Sequence, residues 1–281
     1  MVNYSKLDPK QREIWQRLLA RLRPLDSALV AFSGGVDSAL LLAAAREALG
    51  PKVKAVLCTG AFTPPWEADR ARQVAAELGV ELIETDAGEL KDPATSANDP
   101  LRCYHCKRLR LSSLQAMARH MGFAAVLEGS QADDASEHRP GSRAVKELGI
   151  KSPLAEAGLG KTEIRELSRA LGLITAEVPS GACLATRVPV GTPLSQDALH
   201  RIGLAETAVR RLLPGQVRVR DHFPLARLEL APEGMARAVD PEMRSRLSQA
   251  VKAAGYRFAC LDLEGYRAGG ADEGATGTKI R

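Results

Sequence analysis

The segment Ser33–Ser38 reads SGGVDS and lies where a short apolar run meets an Ala- and Leu-rich helical pattern. In a strand–loop–helix unit of this kind, the loop amides and the helix N-terminus face an anion, and glycines let the backbone approach it. The hydroxyls of Ser33 and Ser38 add donors, and Asp37 can hold the Mg²⁺ that accompanies a nucleotide. No Lys-Ser or Lys-Thr pair follows the glycines, so this is not a Walker loop. A Gly-Gly pair alone is typical of a tight turn, but the whole string predicts a phosphate site.

Two cysteines one helical turn apart form a second candidate site. Cys103 and Cys106, in the string CYHC, lie at the start of a predicted helix. The helix dipole and the neighbours Arg102, Lys107 and Arg108 should lower the pKa of both thiols. Such a pair binds a soft metal, acts as a nucleophile or is chemically unexceptional. A second C-x-x-C pair is missing, which disfavours a structural zinc site.

The other three cysteines fall into two classes. Cys183 lies in the breaker-rich string PSGACLATRVP, which predicts a functional loop and leaves an ordinary loop thiol as the alternative. Cys58 and Cys260 end or interrupt apolar strands, and we expect both to be buried. If Cys183 folds back to Cys103 and Cys106, three thiolates would leave one position of a cubane iron–sulfur cluster open for an extra sulfide.

Two arginines form a third candidate site. Arg218 and Arg220 alternate on one face of a predicted strand in the string VRVR. Guanidinium groups so placed can bind a phosphate in bidentate fashion. The alternative is a solvated strand face.

The composition is that of a folded globular protein. Its 281 residues are 45% hydrophobic and 26% charged, which excludes disordered, collagen-like and coiled-coil classes. Lys and Arg number 39 against 34 Asp and Glu, so the net charge of +5 favours anionic partners such as nucleotides, phosphorylated metabolites or RNA. Aromatic residues are only 4% of the chain, which disfavours a base-stacking nucleic-acid surface. The N-terminus shows no apolar signal core, and no stretch approaches the roughly 20 apolar residues of a membrane span, so we expect a cytoplasmic protein without a membrane partner.

Strand and helix patterns alternate between Ala28 and Leu127, which predicts an α/β fold with a doubly wound parallel sheet. The functional loops of such sheets gather beyond the carboxyl ends of the strands. From Ser195 a helix, two strands, a helix and a strand predict a smaller C-terminal α+β domain. We therefore place the main domain at residues 1–190, the smaller domain at 191–267 and a disordered tail at 268–281.

The ordered set of motifs resembles a known family. SGGVDS is similar to the PP-loop of ATP pyrophosphatases, whose fold is adenine nucleotide α-hydrolase-like. RCYHCK, EGSQADD, GACLATRVPVGTPLS and VRVRDHFPLARLEL follow in order. Together these strings resemble the LarE family, the ATP-dependent sulfurtransferases of nickel-pincer nucleotide biosynthesis.

The resemblance implies an activity. The substrate would be a small-molecule pyridinium-3,5-dicarboxylate mononucleotide, whose carboxylates are adenylated with release of pyrophosphate and then converted to thiocarboxylates. The cofactors would be ATP, Mg²⁺ and, in members with three cysteines, a 4Fe-4S cluster that a sulfide source reloads. In members with one active cysteine, the residue matching Cys183 gives up its own sulfur and becomes dehydroalanine. The cluster version is the preferred interpretation here, because three cysteines are present.

The resemblance also implies roles for individual residues. Nucleotide contacts would come from Ser33, Gly34, Gly35, Val36, Asp37, Ser38, Cys58 and Gly129. Catalysis would involve Asp37, Cys103, Cys106 and Cys183, the three cysteines being the iron–sulfur ligands. Arg218 and Arg220 would bind the substrate phosphate, Glu206 and Glu229 would bind a metal ion without a clear third carboxylate, and Arg267 would touch substrate or an interface. A homo-oligomer is expected by the same analogy.

Two other functions stay open at this stage. A tRNA-thiolating PP-loop enzyme would share the phosphate loop and the cysteines, although the chain shows no added RNA-binding domain. A nonenzymatic nucleotide- or metal-binding regulator would keep the loop without turnover. Pyrophosphate release that depends on a small dicarboxylated nucleotide, and not on tRNA, would separate these three functions.

Overall fold

A computed structural model describes residues 6–135, 140–179, 181–213 and 215–267. The chain forms two compact units. The first comprises the chain up to Gly60 together with Trp66–Glu89 and Cys103–Gly181, and the second comprises Ala61–Pro65, Leu90–Arg102 and the chain from Ala182 on. The main division, between Gly181 and Ala182, falls nine residues before the expected one at 190/191, and two earlier segments also join the second unit. The predicted tail, 268–281, lies outside the described residues.

Helices and strands alternate between β1 and β4 as the sequence predicts, and further short helices interrupt the pattern. The helices of the described residues are α1 (Pro9–Leu22), α2 (Val36–Leu49), α3 (Pro65–Glu77), α4 (Pro93–Ser96), α5 (Arg102–Met121), α6 (Pro140–Glu147), α7 (Pro153–Glu156), α8 (Lys161–Ala170), α9 (Gln196–Leu212), α10 (Pro232–Ala238) and α11 (Pro241–Ala253). The strands are β1 (Ala28–Ala31), β2 (Val53–Cys58), β3 (Leu82–Thr85), β4 (Ala125–Leu127), β5 (Val217–His222), β6 (Leu225–Leu230) and β7 (Phe258–Leu261). None of these helices combines the length and apolar character that a membrane span requires.

The sheet of the first unit is parallel throughout, in the order β3-β2-β1-β4. Helices cover both of its faces, which confirms the doubly wound prediction. On one face, Val30 and Ala55 join the core that α1, α2, α3 and α8 complete. On the other, Leu29 and Cys58 pack with Leu114 of α5. Buried parallel strands are apolar on both faces, which explains why these strands read as continuous apolar runs.

The second unit contains a three-stranded sheet in the order β5-β6-β7, with β5 antiparallel to β6 and β6 parallel to β7. One face packs on α9 and α11 through Val219, Leu228 and Val251. The alternate residues of β5, Arg218 and Arg220, are buried on the opposite face. The solvated-face alternative for these arginines is therefore wrong.

Helices α4, α6, α7 and α10 were not predicted. Two of them, α4 and α7, are four residues long, too short to show an amphipathic period. Helix α4 depends on a local contact, because the Asp92 carboxylate accepts a hydrogen bond from the Thr95 amide. Both begin with proline at the first helical position, where its fixed φ suits a helix start.

Candidate functional site

The Ser33–Ser38 loop connects the end of β1 to the first turn of α2. Gly34 adopts φ +69°, and a Cβ added there would lie 2.8 Å from the Cα of Ala71 on α3. The Ser38 hydroxyl donates to the Gly35 carbonyl at 3.2 Å and accepts from the Ser33 amide at 3.3 Å. These contacts hold the loop as a tight turn at a helix N-terminus, which is the geometry of an anion site.

The loop after β4 lies against this turn. A Cβ added to Gly129 would come within 3.2 Å of the Ser38 amide nitrogen. The contact exists because β1 and β4 are neighbours, so their carboxyl ends meet at one edge of the sheet. Cys58 ends β2, the other neighbour of β1, and its burial raises the pKa of its thiol. Its buried position agrees with the prediction from its apolar surroundings.

Two cations that the sequence analysis did not single out contact the loop. Lys161, the first residue of α8, places Nζ 2.7 Å from both carboxylate oxygens of Asp37. Arg70 of α3 donates from Nε to the Gly34 carbonyl at 2.8 Å, and burial lowers the pKa of its guanidinium. For Lys161 the sequence did offer a signal, because Gly160 precedes it as is typical of a helix start. Nothing in the sequence marks Arg70 apart from other arginines of its helix.

Cys103 and Cys106 lie in the first two turns of α5, Cys103 exposed and Cys106 partly buried. Lys107 and Arg108, which were expected to lower the pKa of these thiols, contact other groups. Lys107 Nζ binds the Glu128 carboxylate at 3.0 Å, and the Arg108 guanidinium lies 6.0 Å from the centre of the Tyr104 ring.

The sequence analysis also overlooked Arg110, which lies one turn after Cys106 on α5. Burial opposes its charge, but its electrostatic interactions with Cys106, Glu89 and Cys58 and its hydrogen bond with Glu89 outweigh that effect and raise the pKa of Arg110. Its Nη2 atom is buried and has no hydrogen-bond partner within the part of the chain that the structure describes. Arg110 therefore supplies the positive charge on the side of α5 that carries Cys106.

Cys183 belongs to the second unit, where it precedes a single helical turn, Leu184–Arg187. Its carbonyl accepts hydrogen bonds from the Thr186 hydroxyl at 2.8 Å and from Arg187 Nη1 at 3.1 Å. Arg187 is 1% exposed and forms a two-pronged ion pair with Glu206, which is fully buried. The loop around Cys183 is thus tied to α9.

Arg218 is buried at 4% exposure and has no carboxylate partner among the described residues. Its Nη1 donates to the Gln216 side chain and the Val217 carbonyl, and its guanidinium lies 5.2 Å from the centre of the Tyr266 ring. Burial, reinforced by the Arg187 cation, lowers the pKa of Arg218 to about 10. The side chain stays charged at neutral pH, so this unit contains a buried cation that forms no ion pair with a described carboxylate, the charge of Glu206 acting on it without such contact.

Arg220, in contrast, is committed to protein partners. Its Nε and Nη2 atoms each lie 2.8 Å from an oxygen of Glu229, and Nη1 donates to the Thr186 carbonyl at 2.6 Å. Glu229 also accepts from Arg227 at 3.2 Å. Glu206 and Glu229, which the resemblance gave as metal ligands, are therefore both neutralised by arginine, and their arrangement does not fit a divalent cation. Within the described ranges no group of three or more His, Cys, Asp or Glu side chains is arranged to hold a metal ion.

Comparison with known proteins gives the family. A pyridinium-3,5-bisthiocarboxylic acid mononucleotide synthase from Lactiplantibacillus plantarum is 37% identical over 254 residues, which are 90% of this chain and 91% of that protein. The chain belongs to the LarE family. An uncharacterized protein of Synechocystis is 39% identical over 87% of this LarE-family chain and 91% of its own length. The asparagine synthase family model matches residues 19–137, and a GMP synthase from Aeropyrum pernix is 28% identical over 65% of this chain and 39% of its own length.

ATP-dependent sulfur transfer is the activity of the LarE family, to which this chain belongs. The structure brings Ser33–Ser38 together with Gly129 and adds Lys161 and Arg70. It keeps Cys103 and Cys106 on one helix of the first unit, whereas Cys183 belongs to the second.

The remaining predicted residues lie in the second unit. Arg267 forms an exposed ion pair with Glu264 at 2.7 Å. Cys260 is only partly buried, on the edge strand β7, so full burial was the wrong prediction there.

We expect Gly34→Ala to destabilise this LarE-family chain, because the left-handed conformation alone costs about 1–2 kcal/mol for a residue with a Cβ and the new atom would overlap Ala71. Urea unfolding measures the change. Gly35→Ala is the matched control, since Gly35 has ordinary backbone angles and its added Cβ meets only the Ser33 hydroxyl at 3.4 Å. Equal losses of unfolding free energy in the two variants would contradict this account of the loop.

We expect Arg218→Met to raise the free energy of unfolding by about 1–2 kcal/mol, because it removes a buried charge that lacks a counterion. The same change should weaken binding of a phosphorylated ligand by about 1.5–3 kcal/mol, the value of a charge-assisted hydrogen bond. Arg211→Met, on the exposed side of α9, is the control. Denaturant titration and calorimetry give the two quantities, and a destabilised Arg218→Met protein would refute the assignment.

Proposed function

We propose that this chain adenylates the carboxylates of a pyridinium-3,5-dicarboxylate mononucleotide and converts them to thiocarboxylates. The observation that carries the proposal is the SGGVDS turn at the start of α2, with Gly129 and two cations against it. The name of the 37% identical relative supports the choice of product. The buried, unpaired Arg218 supports a substrate that carries a phosphate.

In the first step a substrate carboxylate oxygen attacks the α-phosphate of ATP, and pyrophosphate leaves with the bonding electrons. The amides at the N-terminus of α2 would face the leaving phosphates, and the two serine hydroxyls hold the turn that presents them. Mg²⁺ would be held by Asp37 and would neutralise charge on those phosphates. Lys161 and Asp37 form an ion pair at 31% and 30% side-chain exposure. With the nucleotide bound, Asp37 would therefore hold the metal ion, and the ammonium group of Lys161 would be available to bind a phosphate oxygen.

In the second step a sulfur nucleophile attacks the acyl adenylate and AMP leaves. Cys103, Cys106 and Cys183 would hold a 4Fe-4S cluster, which supplies a replaceable sulfide when bound. The donor chemistry fits, since all three are thiols and two of them are one helical turn apart. Arg110 favours negative charge at Cys106. A hydrosulfide source would reload such a centre after each transfer.

The second route to sulfur uses Cys183 alone. Its thiolate would attack the acyl adenylate, and loss of the Cα proton would then break the Cβ–S bond. The products would be a thiocarboxylate and dehydroalanine, so each chain would act once per cysteine. The hydrogen bonds on the Cys183 carbonyl favour this candidate, because they stabilise the negative charge that develops when the Cα proton leaves.

We expect Asp37→Ala to lower substrate-dependent pyrophosphate release by about 100-fold or more, as loss of one preorganised electrostatic group does in other active sites. The assay supplies ATP, Mg²⁺ and either the dicarboxylated pyridinium mononucleotide or tRNA. Asp69→Ala, which removes a carboxylate that is 76% exposed, is the control. Release that depends on tRNA would replace the proposal with RNA thiolation, and an unchanged rate in Asp37→Ala would remove Asp37 from the site.

We expect Cys183→Ala to abolish thiocarboxylate formation while substrate-dependent pyrophosphate release survives, because adenylation does not require the thiol. Cys260→Ala is the control and should retain both. Iron and acid-labile sulfide of the anaerobically purified wild type then separate the two routes, about four of each per chain being the cluster stoichiometry. Sulfur transfer that persists in Cys183→Ala would overturn the role of this cysteine.

A further inference from the structure

Three arginines bind the backbone of the turn that follows Cys183. Arg187 Nη1 donates to the Ala182 carbonyl at 2.8 Å and to the Cys183 carbonyl at 3.1 Å. Arg220 Nη1 donates to the Thr186 carbonyl at 2.6 Å, and Arg102 Nη1 donates to the Ala185 carbonyl at 3.1 Å. Four of the five carbonyls from residue 182 to 186 are therefore fixed by guanidinium groups within the second unit.

Two of these arginines depend on a buried carboxylate. Arg187 is 1% exposed beside the fully buried Glu206, with contacts of 2.7 and 3.0 Å. Arg220 is 8% exposed beside Glu229, which is 5% exposed, with two contacts of 2.8 Å. A carboxylate in contact offsets much of the desolvation cost of a guanidinium group buried to this degree. Each glutamate therefore keeps one arginine on the turn.

The same contacts use the carboxylate oxygens that a cation would need. Glu206 Oε1 accepts from Arg187 Nε and, at 2.9 Å, from the Val219 amide, while Oε2 accepts from Arg187 Nη2. A divalent cation at this position would lie beside a guanidinium group in a buried setting, where repulsion between like charges is strong. Arg218, which forms no ion pair with a described carboxylate, would add to that repulsion.

We propose that Glu206 and Glu229 are positioning residues for sulfur transfer, which fix the Cys183 turn through Arg187 and Arg220, and that neither binds a metal ion. The link to sulfur transfer depends on the proposed function. The clamp itself, two carboxylates holding two arginines on the backbone of one turn, does not depend on it. Holding the cysteine in one place reduces the entropy that must be lost when its sulfur meets the acyl adenylate.

The test compares Glu206→Gln and Glu229→Gln with Asp221→Asn. Asp221 is a matched control, since it is 9% exposed and bound by Arg201 at 3.1 Å and by the Tyr256 hydroxyl at 2.7 Å, away from the turn. Hydrogen exchange of the amides at 184–187, measured on the intact chain, reports the clamp directly. We expect exchange there to become about tenfold faster in both glutamine variants and to stay unchanged in Asp221→Asn.

The double variant Glu206→Gln with Arg187→Gln covers the case in which Glu206→Gln does not fold. It removes both buried charges together, so the fold keeps no unpaired ion, yet the turn loses its guanidinium donor. We expect a folded protein with the same faster exchange at 184–187. Slow exchange in this folded double variant would overturn the proposal.

Activity and metal binding complete the test. In the two glutamine variants we expect the ratio of thiocarboxylate formed to pyrophosphate released to fall about tenfold, whereas Asp221→Asn should keep the wild-type ratio. Mn²⁺ titration of the nucleotide-free protein, followed by electron paramagnetic resonance, should give the same result in wild type and both variants. A Mn²⁺ site lost in Glu206→Gln and Glu229→Gln would overturn the proposal. If the wild type forms no thiocarboxylate, only the proposed function is refuted. Hydrogen exchange at 184–187 tests the clamp without reference to activity.

Discussion

A buried guanidinium group has to find acceptors for its N–H groups and a negative charge in contact, and the second unit is organised by that requirement. Arg187 and Arg220 meet it with Glu206 and Glu229, and their remaining donors bind backbone carbonyls around Cys183. The carboxylates neutralise the charge of the two arginines, and the contacts to backbone carbonyls fix the conformation of the loop. The irregular loop around Cys183 thereby acquires a fixed backbone without strand or helix pairing.

Arg218 is the exception to this pairing in the second unit. It lies on the same strand as Arg220 and is equally buried, but no described carboxylate neutralises it. A site that keeps a desolvated charge unpaired gives up stability in the free protein and recovers it when an anion binds. The two arginines, two residues apart, thus differ in that only Arg220 forms an ion pair with a described carboxylate.

In the first unit the constraint is the close approach of backbone segments to one another. Gly34 contacts Ala71 so closely that no side chain fits, and Gly129 contacts the first turn of α2. The backbone can therefore form a concave surface of amides at the carboxyl ends of β1 and β4. Lys161 and Arg70 then bring positive charge to that surface from two other helices.

The sequence by itself determined the parallel sheet, the phosphate loop and the family, because each is encoded in residues that are near one another in the chain. The apolar runs of β1 and β2 and the string SGGVDS needed no information from elsewhere. Only the tertiary structure decided which charges are available for function. Lys161 reaches Asp37 across 124 positions of sequence, and Glu206 and Glu229 resembled metal ligands until their arginine partners were known. Burial and charge pairing depend on contacts between distant segments, and no local pattern of residues records them.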